Sequence, residues 1–195
     1  MADSVSKIFT GIYDDGVWGQ GSGPGSASHE TIAYRRFLQE FLLWNHIERV
    51  VDVGCGDWQF SRFIDWSGVD YTGVDVVASV IDANQERFGS EHVHFALSDG
   101  TFDALPDADL LIAKDVLQHL DTRRIQSFLG AASAYRFVLV TNTAEPVART
   151  NAVIKNGGFR PVDLRKKPFY VSTTVVFSFC GFAGRQDVHL LVNPG

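Results

Sequence analysis

The chain has 195 residues, 45% of them apolar with 15 Phe and 4 Trp, enough to bury one core without metal or disulfide staples, which excludes a disordered protein. Lys plus Arg total 17 against 23 Asp plus Glu, a net charge of −6 that argues against a general grip on nucleic-acid phosphates. Cys55 and Cys180 stand too far apart for a metal-ligand spacing, and the sequence shows neither a signal-peptide run nor about 18 consecutive apolar residues, so a cytoplasmic, non-membrane protein is expected.

Residues 11–28 concentrate Gly and Ser around Tyr13 and Trp18 and read as an ordered arm or lid. From Ser28 to Trp44, Ile32, Tyr34, Phe37, Leu38, Phe41 and Leu42 recur at helical spacing, with Ser28 as N-cap and Glu30 at the positive end of the dipole. Seven apolar runs of strand length follow, at Arg49 to Val53, Tyr71 to Val76, His94 to Leu97, Leu110 to Ala113, Phe137 to Thr141, Thr174 to Phe179 and Val188 to Val192. Helical stretches are expected between the first five: Trp58 to Trp66, Val77 to Phe88 stopped by Gly89, a short piece at Phe102 to Leu105, and Val116 to Ala134. Such alternation builds a parallel sheet covered on both faces. The turn-rich connection from Cys180 to Asp187 makes the last two runs an antiparallel hairpin.

The most informative segment is Val50-Val51-Asp52-Val53-Gly54-Cys55-Gly56-Asp57, an apolar strand running into a Gly-x-Gly turn. A side chain at either glycine would hold a ligand off the backbone at the C-terminal end of a strand, where open α/β sheets bind. Nineteen residues past Gly56, Asp75 ends the second strand, placed to accept from both ribose hydroxyls of an adenosine group. A dinucleotide site wants a third glycine for the pyrophosphate, and Gln59 stands there instead, so a nicotinamide cofactor is disfavoured.

Asp52-Val53-Gly54-Cys55-Gly56 resembles the first motif of class I S-adenosylmethionine-dependent methyltransferases, and the resemblance spans roughly residues 47–143. It implies a Rossmann-like three-layer α/β/α sandwich whose seven-stranded, mostly parallel sheet has the order 3-2-1-4-5-7-6, with strand 7 antiparallel. It also implies that Asp52, Gly54, Cys55 and Gly56 meet the methionyl part of the cofactor, Asp75 its ribose and Val76 its adenine. Asp99, in Ser98-Asp99-Gly100, would accept from the adenine amino group or simply close a turn. Asp57 and Trp58, just past the glycines, would lie near the sulfonium, where a carboxylate suits a cation, or Asp57 caps a helix.

The segment from Asp109 to Leu120 resembles the fourth motif and the "VLxHL" of many small-molecule methyltransferases, which puts Lys114 and Asp115 at a strand end facing cofactor and substrate. Asp115 and His119, four apart, share a face if the following residues are helical. One of them could take the proton lost by an attacking oxygen or nitrogen; alternatively His119 packs beneath the site on a backbone group. Asp115 and Asn142 resemble part of a catechol-type metal site, but Thr141 occupies the third ligand position, so no metal is expected. In the arm, Ile12-Tyr13, Trp18 and Ser22-Gly23-Pro24-Gly25-Ser26, followed by Thr31 and Arg35, resemble a group of short methyltransferase-like proteins. Trp18 and this loop are expected to close over the cofactor, with Arg35 or Arg36 reaching its carboxylate.

Residues 143–168 carry six cations against Glu145 and Asp163, which points either to an anionic substrate held by Asn142, Asn151 and Arg160 or to a solvated loop. The expected organisation is one domain over 1–195: an arm or lid at 1–28, a cofactor-binding core at 29–142, a substrate-side loop at 143–168 and a final hairpin at 169–195. The expected activity is methyl transfer to an oxygen or nitrogen of a small, anionic molecule. Lys114-Asp115-Val116 lacks the Asn/Asp-Pro-Pro-aromatic run that clamps an extruded base, and no paired-glutamate loop of the protein arginine methyltransferases is present. The alternative from another class is a regulatory protein that binds S-adenosylmethionine or S-adenosylhomocysteine without turnover. Oligomeric state is not legible in the sequence.

Overall fold

The computed structural model describes residues 4–144 and 147–194. Ser4 caps an N-terminal helix, α1 (Val5–Asp14), by accepting a hydrogen bond from the Lys7 backbone N–H at 3.2 Å. This helix lies inside the segment expected as an arm or lid, for which no helix was read. Its signal was present as Val5, Ile8, Phe9 and Ile12, an i, i+3, i+4, i+7 stripe behind a serine. Helix α2 (Ile32–Trp44) starts four residues later than expected, because the Ser28 carbonyl is taken by Thr31 Oγ1 and by the Arg35 guanidinium, so Ser28 is not its cap.

The seven strands are β1 (Arg49–Val53), β2 (Asp70–Asp75), β3 (Val93–Leu97), β4 (Leu110–Lys114), β5 (Phe137–Thr143), β6 (Thr174–Gly181) and β7 (Gly184–Val192). They form one sheet in the order β3-β2-β1-β4-β5-β7-β6, with β7 antiparallel to both of its neighbours. The expected Rossmann-like methyltransferase architecture is therefore the observed one. Alternating strand residues feed two cores. Val50, Leu110, Ile112, Leu139 and Val188 pack with Leu38 and Phe41 of α2 and Ile81 of α3 (Ala78–Phe88). Val51, Val53, Leu111, Val138, Val140 and Leu191 pack on the opposite face with Ile125 and Phe128 of α4 (Thr122–Ala132). Strand order reverses between β1 and β4, which opens a crevice above the C-terminal ends of these two strands.

Three expected helices come out shorter or absent. After β1, residues 58–66 hold one 3₁₀ turn at Ser61–Phe63, because Trp58 sits in the left-handed region at φ 57° and the Trp66 indole N–H takes the Ser61 carbonyl at 2.9 Å. Residues 102–105 form a turn rather than a helix. After β4, Asp115 is left-handed at φ 59°, a 3₁₀ turn spans Leu117–His119, and Leu120 is extended before Asp121 caps α4 by accepting from Arg124 N–H at 2.9 Å. Asp115 and His119 consequently do not share one α-helical face.

Among the described residues no helix is long and apolar enough to cross a membrane.

Candidate active site

Gly54 (φ 68°) and Gly56 (φ 55°) carry the chain over the end of β1 in a conformation that side-chain-bearing residues rarely adopt. A Cβ on Gly54 would stand 2.5 Å from Val116 Cγ2, and one on Gly56 2.1 Å from Ser22 Oγ. Both glycines are thus required by backbone shape and by close approach, one to the segment after β4 and one to the arm. Asp75, at the end of β2, accepts the Gly56 N–H on Oδ2 and the Val77 N–H on Oδ1, each at 3.1 Å. Each oxygen keeps a lone pair for a ligand hydroxyl. Burial raises the Asp75 pKa above the ordinary carboxylate range, and the backbone N–H groups of Gly56 and Val77 oppose that rise.

These groups open into a cavity of about 420 Å³, within the range of about 300–1,000 Å³ usual for small-molecule sites. Its near end is lined by Val53, Gly54, Gly56, Asp75, Val76 and Gly100, with Ser98 and Phe102 beside them. The arm roofs it through Val5, Phe9, Tyr13, Trp18 and the loop from Ser22 to Ser26. Ser22 Oγ locks this roof down: it donates to Asp57 Oδ1 at 2.7 Å, accepts the Asp57 N–H at 2.8 Å and lies 2.7 Å from the Tyr13 hydroxyl. Trp18 packs between the arm and the floor, with ring centroids 5.9 Å from Phe9 and 5.0 Å from His119.

The far end is lined by Lys114, Asp115, Gln118, His119, Thr143, Phe159, Phe182, Ala183 and Gln186. Lys114 Nζ is ion-paired with Asp115 Oδ2, donates to the Gly25 carbonyl at 3.3 Å and lies over the Tyr34 and Phe60 rings. The His119 Nδ1 is 2.8 Å from the Gly158 carbonyl. A carbonyl only accepts, so Nδ1 carries the hydrogen and Nε2 keeps its lone pair. Burial lowers the His119 pKa below the ordinary histidine value, against the opposing Gly158 hydrogen bond, so the ring is neutral at pH 7.

Trp18, Gly54, Gly56, Asp75, Val76, Ser98, Gly100, Lys114, Asp115 and His119 are therefore brought together around one cavity. The other expected site residues lie off it. Asp52 points into the core below the crevice, where Tyr71 O–H donates to its Oδ2 at 2.8 Å; burial pushes its pKa up to about 7 despite that bond and Lys114. Cys55 is buried with its sulfur against Gly73, and Asp57 has its oxygens occupied by Ser22 and Gln59. Trp58, expected near the sulfonium, packs in the core on Tyr71, Phe88 and Phe95. Asp99 turns outward and closes its own turn by accepting both Thr101 N–H and Thr101 Oγ1–H at 2.8 Å.

Arg35 stays on α2, donating to the Ser28 carbonyl at 2.9 Å with its guanidinium 5.0 Å from the Phe63 ring, and Arg36 pairs with Glu40. Asn142 is buried below the end of β5. Asn151 bridges the Asp163 and Lys167 carbonyls at 2.9 Å each, and Arg160, fully buried, donates to the Ala152 and Leu120 carbonyls and to Thr122 Oγ1. Arg165 and Lys166 pair with Asp163. Among the described residues, none of the 143–168 cations lines the cavity, so the charge of that loop is not presented to a substrate. Conversely, Tyr13, Gln118, Phe182 and Gln186 line the cavity without having been singled out as site residues. Gln186 is legible only once β7 is known to lie beside β5.

Among the described residues no group of three or more His, Cys, Asp and Glu is arranged to hold a metal ion.

The positive-φ turn, the doubly hydrogen-bonded Asp75 and the apolar patch at Val76 and Phe102 suit a glycine-cradled nucleoside. Residues 51–133 match the family profile described as "Methyltransferase domain". No curated protein sequence matches the chain. Among solved structures, magnesium protoporphyrin IX methyltransferase from Synechocystis PCC 6803 with bound SAM is 15% identical, with 99% of each chain covered and a TM-score of 0.67. Human N-acetylserotonin methyltransferase in complex with SAM is also 15% identical, covering 97% of this chain and 59% of that one at a TM-score of 0.60. The DhpI-SAH complex is 18% identical over the whole of both chains at a TM-score of 0.57. The domain match over residues 51–133, the sheet order and the solved neighbours together give the chain the class I methyltransferase fold, and the glycine-cradled pocket suits S-adenosylmethionine as cofactor.

Proposed function

We propose that the protein transfers a methyl group to an oxygen or nitrogen atom of a small molecule bound beneath the N-terminal arm. One observation carries this reading: a single cavity runs from Asp75 and the glycine turn to the ends of β4, β5 and β7, crossing under Trp18. From β2 to β7 this is four inter-strand steps of about 4.8 Å, or about 19 Å, room for a nucleoside and an acceptor side by side. Bound S-adenosylmethionine supplies an electrophilic methyl carbon, whose transfer is a direct displacement that needs alignment and exclusion of water above all.

In this reading Asp75 holds the ribose, Val76 and Gly100 flank the adenine, and the Gly54 and Gly56 backbone admits the methionyl chain. The arm, described from residue 4 to 28, is the lid, fastened through Ser22 to Asp57, and it keeps water from the reacting atoms. The acceptor's lone pair forms the new C–O or C–N bond as the C–S pair returns to sulfur. The acceptor's proton passes to Nε2 of His119, which the Gly158 hydrogen bond holds in the required tautomer. The names of two neighbours, a magnesium protoporphyrin IX and an N-acetylserotonin methyltransferase, support a small-molecule acceptor. Titration calorimetry is expected to detect S-adenosylhomocysteine binding, and incubation with S-adenosylmethionine and a metabolite extract is expected to produce S-adenosylhomocysteine. Binding without turnover across broad extracts would favour a regulatory protein; absence of binding by folded protein sinks both.

A further inference from the structure

On the proposal that the glycine turn and Asp75 hold the cofactor, the methyl acceptor occupies the opposite half of the cavity, over β4, β5 and β7. Among the described residues the formal charges lining that half are Lys114 and Asp115, paired with each other, while the lining Arg124 is held on the Gly100 carbonyl at the cofactor end. A carboxylate or phosphate entering there would lose its water without gaining a free cation, which disfavours an anionic acceptor.

The hydrogen-bond inventory points the same way. Asp115 Oδ2 is taken by Lys114, whereas Asp115 Oδ1 is buried and accepts nothing. Gln186, 3% exposed on β7, has its Nε2 3.5 Å from Thr143 Oγ1, and its Oε1 also accepts nothing. Gln118, alongside, is by contrast satisfied by the Thr143 N–H at 2.9 Å. Buried acceptors without donors are costly, and both belong to residues that line this half of the cavity, so an occupant that brings an N–H or O–H is favoured. The left-handed Asp115 backbone is a further cost, and it fixes the carboxylate at the strand end. Around these oxygens the lining is aromatic, from His119 and Phe159, 5.8 Å apart, and from Phe182 in the β6–β7 turn.

We infer that the acceptor half of the cavity selects an uncharged molecule with a flat apolar body and an O–H or N–H group, of phenol or aryl-amine type, and that Gln186 together with Asp115 reads that group in the bound complex, before its proton passes to His119 during transfer. Gln186 is then a specificity-determining residue for the proposed reaction.

The test uses full-length protein saturated with S-adenosylhomocysteine and ligand-observed NMR titration of three probes: phenol, anisole and benzoate. Phenol is expected to bind at least fivefold more tightly than anisole, which lacks the donor, and than benzoate, which adds the charge. Gln186→Leu is expected to erase the difference between phenol and anisole; if that variant fails to fold, Gln186→Met, an unbranched near-isostere, provides the same comparison. Equal binding of phenol and anisole, preference for benzoate, or binding of none of the three by protein that does bind S-adenosylhomocysteine overturns this inference and leaves the cofactor assignment standing. Protein that binds no S-adenosylhomocysteine removes the assignment and the inference with it.

Discussion

The turn after β1 and the connection between β5 and β6 are both irregular backbone at the same end of the sheet, yet they use their residues in opposite ways. In the turn, Gly54 and Gly56 leave the backbone open to the cavity, while the adjoining Asp52 and Cys55 bury their side chains beneath it. In the connection, the polar side chains are consumed by the loop and by the segment it packs on before α4: Asn151 and Arg160 between them hold the carbonyls of Ala152, Asp163 and Lys167 within the loop and of Leu120 beside it. Buried backbone polar groups need partners, and a long segment without helix or strand finds them in its own side chains. A cation in such a segment is therefore first a scaffold for the loop and only secondarily a contact for a ligand.

The largest expected effect tests the open side of this contrast. Gly56→Ala places a Cβ against Ser22 Oγ at an unfavourable φ, and S-adenosylhomocysteine affinity should fall at least about 100-fold by calorimetry as arm and turn are forced apart. His119→Gln should lower kcat on the order of 100-fold, provided that the ring takes the acceptor proton. Because burial lowers the His119 pKa, wild-type activity should hold through neutral pH and decline only on the acid side of the ordinary histidine value; the variant should lose that acid limb.

On the closed side, Arg160→Met deprives buried carbonyls of their donors and should cost about 2–4 kcal/mol in urea denaturation, while the folded variant binds S-adenosylhomocysteine within twofold of wild type. A tenfold loss of cofactor affinity in that variant would place Arg160 in the site after all.

Asp52 provides a test through pH. Its folded pKa of about 7 lies above that of the unfolded chain, so charging it opposes folding. Its contribution is fully present below about pH 4 and is lost as pH rises through 7. The stability of Asp52→Asn relative to wild type should consequently grow between pH 4 and 7 and level off above. The smallest effects are expected for Asp99→Ala and Arg35→Ala, which should each leave S-adenosylhomocysteine affinity within twofold, since both side chains are engaged away from the cavity.

The strands were readable because apolar runs separated by turns of glycine and polar residues are local signals, and β1 was bounded correctly to the residue, whereas the order of the sheet followed only from the resemblance to class I methyltransferases. Helix α1 was equally local and went unread behind a glycine-rich stretch. The residues after β4 were misread as continuous helix because nothing in Lys114-Asp115-Val116 announces a left-handed Asp115, a conformation fixed by the strand end and the arm packed on it.

The sequence by itself determined the parallel sheet, the glycine turn and the placement of Asp75 at the cavity, since each is specified by residues within one strand-turn-strand unit and by the backbone freedom of two glycines. Only the tertiary structure decided which polar side chains face the cavity. Asp57, Asp99, Arg35, Asn151 and Arg160 are of suitable types at suitable ends of the sheet, but each finds a protein partner first. Gln186, which has no unusual neighbours in sequence, reaches the cavity because β7 inserts between β5 and β6. Hydrogen-bond satisfaction is settled among groups distant along the chain, and that long-range settlement distinguishes a binding residue from a structural one.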